Sequence, residues 1–258
     1  MPTPRRLKTL VVTFTALSLL FSVVQVHALF DELAQLKQEL QVWETTHAAD
    51  FSDLIDHLDT IEGPGFKDVT PNDWFNPYVS YVADWGIVSG YRNAQGQLTG
   101  DYGPGNPVTI AEVLKMSFRA SGVDETQCRR PVRLPEAKGH WAEHFVSCGE
   151  EIGMRILQTS HLDLNRKAKR AEVIAIIHDA FGDAIPPLYS TFKDTVGHPL
   201  EADIAYAAAR GIVGGYKNEK GEETGIFDPN GNINRAEVAK VIYERLKVQA
   251  MQEAATKG

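Results

Sequence analysis

Apolar residues recur at helical spacing in paired runs along this chain, with glycine-rich turns between them. Tyr78, Val79, Tyr81, Val82 and Trp85 predict a helix from about Asn76 to Trp85. Gly86 ends it: a glycine there can adopt the left-handed conformation that closes a helix C-terminus, and Ile87-Val88 can pack back on the last turn. A second helix opens at Thr109 and continues through Val113, Leu114, Ser117 and Phe118. The same rhythm returns in Val173, Ile174, Ile177 and Phe181, and in Val238, Val241, Ile242 and Leu246. Thr109-Ile-Ala-Glu112 and Asn234-Arg-Ala-Glu237 both fit a capping box, in which the first side chain accepts from the backbone N–H three residues on and the glutamate reaches back. Upstream, Leu29, Leu33, Leu36, Leu40 and Trp43 follow a four-three spacing, and Phe51, Leu54, Leu58 and Ile61 resume it in another phase. Residues 29–62 therefore read as one broken helix or a short helical hairpin, ended by Gly63-Pro64-Gly65, that either forms a short coiled coil or packs on the rest. The expected fold class is all-α.

The paired runs are copies of one unit. Gly86-Ile-Val-Ser-Gly-Tyr-Arg-Asn93 returns 125 residues later as Gly211-Ile-Val-Gly-Gly-Tyr-Lys-Asn218. Tyr102-Gly-Pro104 meets Phe227-Asp-Pro229, Ala111-Glu-Val113 meets Ala236-Glu-Val238, and Phe66-Lys-Asp68 meets Phe192-Lys-Asp194. A weaker copy lies between them: Trp74 and Gly86 match Trp141 and Gly153, and Ala111-Glu112 matches Ala171-Glu172. The units span residues 66–122, 134–182 and 192–247, followed by a polar tail at 248–258. One helix pair cannot bury its apolar face alone, so three must share a core.

The N-terminus carries Arg5, Arg6 and Lys8, then an uncharged run from Thr9 to Leu29 with Val26-His27-Ala28 at its end. This is the pattern of a secretory signal peptide cut after Ala28; an uncleaved membrane anchor is the alternative. Removing residues 1–28 takes three positive charges from a chain of net charge −8 and leaves −11. So acidic a chain is a poor nonspecific binder of nucleic acid. Export favours a disulfide between Cys128 and Cys148 over two free thiols.

The ordered set of motifs resembles the S-layer homology family: a Phe-x-Asp start, a tryptophan, a Gly-Ile-Ile/Val-x-Gly-Tyr turn, a Phe/Tyr-x-Pro turn, and a second helix opening with Thr-Arg-Ala-Glu. The third unit shows it as Phe192-Lys-Asp194, Gly211 to Tyr216, Phe227-Asp-Pro229 and Asn234-Arg235-Ala236-Glu237, with Leu200 near the tryptophan's place. The first keeps Trp74 but has Ile110 in place of the arginine, so its own groove is expected to be altered or lost; the second keeps Trp141 and Arg170-Ala171-Glu172, is seven residues shorter between Gly153 and Glu172, and lacks the Gly-Tyr loop. The resemblance implies a pseudo-threefold domain with the three first helices in a central bundle and ligands in grooves between repeats. It also implies a noncatalytic, exported protein of the cell surface, cell wall or S-layer, without a cofactor or metal. Its ligand would be a cell-wall polysaccharide, often pyruvylated, or peptidoglycan. What is anchored is not encoded in these motifs; residues 29–62 are the candidate for a protein partner or for self-association.

Candidate glycan contacts follow. Arg170 and Arg235 are not explained by capping, and a cation in the first helical turn opposes the helix dipole. With the amides of that helix end, each is expected either to grip a carboxylate or to pair with a nearby acid on the surface. Lys169 belongs to the basic run Arg166-Lys-Ala-Lys-Arg170, which is either an anionic-glycan contact or a solvated loop. Trp74 and Trp141 either stack on sugars or, the favoured reading, plug the core. Asp68, Asp194, Gly90, Tyr91, Gly215 and Tyr216 complete the set, as residues of the family motif.

His140-Trp-Ala-Glu143-His144 matches a zinc-protease string, but its tryptophan and helix belong to the repeat. His140 and Cys148 stand two helical turns apart, too far for one tetrahedral ion. Asp228-Pro-Asn-Gly-Asn-Ile-Asn234 lacks the glycine and glutamate positions of a calcium loop. His47, His57, His161, His178 and His198 have no partner that the sequence identifies.

Overall fold

The computed structural model describes residues 65–257; the expected signal peptide and the 29–62 helical segment lie outside the described residues. Among these residues there are six α-helices in three pairs: α1 (Asn76–Asp84) and α2 (Ile110–Ala120), α3 (Glu143–Glu151) and α4 (Arg170–Phe181), α5 (Glu201–Ala209) and α6 (Arg235–Lys257). Extended backbone among the described residues is limited to isolated β-bridges. The described residues are thus mainly α, as expected.

Each first helix ends in the same way. Gly86, Gly153 and Gly211 have φ of 69°, 73° and 71°. The Gly86 N–H donates to Ala83 O and the Ile87 N–H to Val82 O, both at 2.9 Å. Met154 repeats the longer bond to Gly149 O, and Ile212 to Ala207 O. These are Schellman closures, which need a residue at ease with positive φ and an apolar residue after it. The second helices start as the sequence predicts. Thr109 Oγ1 accepts from Glu112 N at 3.3 Å while Glu112 Oε2 accepts from Thr109 N at 2.8 Å. Asn234 and Glu237 exchange the same two bonds at 2.9 Å. In α4, Lys169 has no acceptor to offer, and only the Glu172 half of the box forms.

The three units are stitched in a cycle at these helix starts. The Ile110 and Ala111 amides donate to Arg166 O and Leu164 O of the second unit. Those of Arg170 and Ala171 donate to Gly231 O and Pro229 O of the third, and those of Arg235 and Ala236 to Asn106 O and Pro104 O of the first. Bridges Pro107–Asn234, Thr109–Lys167 and Lys169–Asn232 close the triangle. The basic run is therefore an inter-repeat strut: Ala168 is buried, and Arg166 holds Glu172 through two bonds of 2.8 and 2.7 Å.

The central bundle is made by the second helices, not the first. α2, α4 and α6 touch one another, and each carries a first helix from another unit: α1 on α6, α3 on α2, α5 on α4. The reason lies in the width of the apolar faces. α2 buries Ile110, Ala111, Val113, Leu114, Met116 and Phe118, nearly all round, whereas α1 buries only Val79, Val82 and Ala83. The segment expected as a polar tail from 248 continues α6 to Lys257.

Two further ties fix the loops. Asp68 accepts from the amides of Tyr102 (2.8 Å) and Gly103 (2.7 Å), and Asp194 from those of Phe227 (3.0 Å) and Asp228 (2.7 Å). Each Phe-x-Asp motif thus braces the Phe/Tyr-x-Pro turn of its own unit. Cys128 and Cys148 are joined by a disulfide that ties the segment after α2 to α3. Peptide mapping of the nonreduced protein from an oxidising compartment should recover this cross-link, and Cys128→Ser should cost about 3 kcal/mol of stability. Two free thiols in that protein would contradict the assignment.

Candidate functional site

Two grooves of about 450 Å³ each lie between the units. Each draws on all three, because a first helix, a second helix and a helix start from different units meet there. The Tyr91 groove is floored by the Ile87–Arg92 turn and by Glu112, Lys115 and Met116 of α2; Arg235 enters from α6 and Trp141 from the start of α3. The Tyr216 groove is the same construction displaced by one unit. Its floor is the Gly211–Lys217 turn with Glu237, Lys240 and Val241 of α6; Arg170 enters from α4, and Trp74 and Tyr78 from the first unit.

At the centre of each groove an arginine is held from three sides. The Arg235 guanidinium carbon lies 4.9 Å from the ring centroids of both Tyr91 and Tyr102, and its Nη1 is 3.4 Å from Glu112 Oε1. The Arg170 guanidinium carbon lies 5.4 Å from the Tyr216 centroid and 4.9 Å from that of Phe227, with Nη1 3.0 Å from Glu237 Oε1. The capping-box glutamate thus does two jobs: one oxygen caps its own helix, and the other holds the arginine of another unit. Both arginines are largely buried, and each leaves its Nε buried without a hydrogen-bond partner. The reading of a surface ion pair is right about the acid and wrong about the surface. The helix-end amides add nothing to an anion site, because those of Arg170 and Arg235 and their successors already donate to carbonyls of another unit.

Gly90 and Gly215 let the floor turn approach its neighbours. A Cβ on Gly90 would stand 2.8 Å from Asp101 O, and one on Gly215 would stand 2.9 Å from Ile226 O. Lys115 and Lys240, one turn after the glutamates, complete each floor; the 125-residue offset aligns them, a signal in the sequence that points to both. Burial pushes the Lys115 ammonium pKa down, and nearby Arg119 and Arg235 push the same way, so an anion seated there would relieve it.

Trp74 and Trp141 do not plug the core. They are 56% and 54% exposed, each at the mouth of a groove. Asp68 and Asp194 line neither groove, since both their oxygens serve the turns. Lys169 also lies outside both linings.

The third inter-repeat position is built differently. Its arginine place is Ile110, fully buried, and its floor lysine place is Ala175. By helix register its tryptophan place is Pro199, one residue from the expected Leu200. Ile110 therefore alters the second unit's position, not the first unit's own groove, which is present. Where Tyr78 meets Tyr243 beside the Tyr216 groove, this position has Asp203 and His178, with Nδ1 3.2 Å from Oδ1. Arg155 clasps Asp203 through two bonds of 2.8 and 2.6 Å and reaches Asp179 as well.

Among the described residues His140, His198 and His161 act in turns and an ion pair, while His47 and His57 lie outside the described residues. His140 Nδ1 accepts from Ala142 N while Glu143 accepts from Gly139 N, and His198, Leu200, Glu201 and Gly197 repeat the arrangement before α5. The zinc-protease string is thus a helix-start turn. His161 pairs with Glu136 at 2.9 Å.

Comparison with known proteins agrees with the repeat. The family described as S-layer homology domain matches residues 65–114 and 191–239. A relative named amylopullulanase, from Thermoanaerobacterium thermosulfurigenes, is 26% identical over 196 residues, which is 70% of this chain and 9% of that protein.

Proposed function

We propose that this chain, which carries S-layer homology domains, is a noncatalytic anchor that holds to the bacterial cell wall by seating an acidic glycan in the Tyr91 and Tyr216 grooves. Such domains are cell-surface anchoring modules for cell-wall polymers. The observation that carries the finer reading is the construction of the grooves. Each presents a buried, ring-stacked arginine, a floor lysine and an exposed tryptophan around one cavity. A planar guanidinium held between rings suits the oxygens of a glycan, a pyruvyl or uronic carboxylate above all, and an exposed indole favours a sugar face. The polymer is a secondary cell-wall polysaccharide or peptidoglycan. The cationic start and uncharged run of residues 1–29 fit export to the surface. The activity in the name of the relative does not carry over to this chain, which spans 9% of that protein.

A pull-down of the mature protein on purified cell walls tests this reading. Binding lost once acid extraction has removed the noncovalently and labile-linked polymers identifies a secondary polysaccharide as the ligand, and binding that survives extraction identifies peptidoglycan. Binding to neither preparation would contradict it and would favour an adaptor whose residues 29–62 hold a protein partner.

A further inference from the structure

The two grooves share a plan but not a chemistry. The Tyr91 groove sets three cations, Arg92, Lys115 and Arg235, against one carboxylate, Glu112. In the Tyr216 groove three cations face three carboxylates, because Glu223 and Glu244 stand where the first unit has Leu98 and Arg119. Lys217 is itself paired with Glu223 at 3.5 Å.

What the Tyr216 groove lacks in charge it has in rings. Tyr78 and Tyr81 of α1, Trp85 at its C-cap and Trp74 in the turn before it follow the spacing that places side chains on one face of a helix. Tyr81 and Trp85 stack at 5.4 Å with their planes 21° apart, and Tyr243 stands edge-on behind Tyr78 and Tyr81. Trp85, outside the groove lining, is 66% exposed. The equivalent positions beside the Tyr91 groove are Phe145, a disulfide-bonded Cys148 and Ile152, so no such row exists there.

We infer that the Tyr216 groove continues along α1 as a set of subsites for uncharged pyranose rings, and that the Tyr91 groove takes the acidic sugar. This rests on the glycan-anchoring reading above. A neutral groove exacts no charge from its ligand, and aromatic faces pack against the C–H faces of sugars while the phenol edges remain free to hydrogen-bond hydroxyls. The row adjoins a groove already lined by Trp74 and Tyr78, so one polymer chain can occupy both.

The test uses the full mature chain and acid-released wall polymer from the organism that makes it, either native or with its carboxylates reduced to alcohols. Affinities are measured by calorimetry for the parent, Trp85→Ala and, as a control at the matching place by the other groove, Ile152→Ala. The parent should bind both polymers, the native more tightly. Trp85→Ala should weaken both by about threefold to tenfold, and Ile152→Ala neither. If Trp85→Ala binds both like the parent, or if the parent binds only the native polymer, this inference falls and the anchoring reading stands. If the parent binds neither, both fall.

Discussion

Arg235→Ala is expected to weaken binding to cell walls by about tenfold to hundredfold, the worth of a lost charged hydrogen bond of roughly 1.5–3 kcal/mol. It should also lower stability, because Glu112 Oε1 loses its partner across the unit boundary and two rings lose the cation between them. That second effect should be about 1–3 kcal/mol. Arg235→Lys should recover only part of the binding, since an ammonium cannot make a planar two-point contact. Asn234→Ala separates the two roles: it removes the N-cap acceptor, should cost about 1 kcal/mol of stability, and should touch binding only indirectly. Wall-binding isotherms together with thermal melts of these variants check the whole set. An Arg235→Ala protein that melts lower but binds as tightly as the parent would leave Arg235 a purely structural tie.

A stability effect as large as that of the disulfide is expected at the third inter-repeat position. Asp203 is buried and receives His178 and both Nη atoms of Arg155. Burial alone would raise its pKa, but the hydrogen bonds from His178 and Arg155 outweigh it, and the folded-state value lies below the ordinary 3.8. A carboxyl depressed by folding contributes stability that is fully present above its unfolded pKa and is lost as the pH falls through its folded one. The contribution should therefore hold at neutral pH, begin to fall near the ordinary value of 3.8, and vanish only below the still lower folded-state value. Asp203→Asn should cost about 3 kcal/mol at neutral pH, roughly 6–12 °C in melting temperature, because it leaves Arg155 and the buried His178 without their acid. Its melting temperature should then fall less steeply than the parent's on acidification. Coincident melts of parent and variant at neutral pH would show that the cluster contributes nothing.

What was legible in the sequence is what depends on near neighbours. Gly86 and Gly211 announce their Schellman closures, and Thr109-x-x-Glu112 its capping box, because every atom involved lies within six residues. What was not legible depends on residues far apart. Arg235 looks like a helix-end cation; its partner Glu112 stands 123 positions away in another unit. Asp68 looks like a ligand contact until the Tyr102 and Gly103 amides come back to it from 34 and 35 positions on. His178 finds Asp203 only because α5 packs on α4. Trp74 and Trp141 are exposed, against expectation, for a related reason: the first helices ride on the bundle instead of forming it, so their leading residues face solvent.

The central claim, that wall glycan sits in the two arginine grooves, is tested most directly by a hydrogen-exchange footprint of the full chain with and without acid-released wall polymer. The account predicts slowed exchange in the floor turns at residues 86–92 and 211–217, and unchanged exchange at 153–163, where the third position has neither the arginine nor the lysine. Protection confined to 153–163, or none at either floor turn while the polymer is bound, would contradict it.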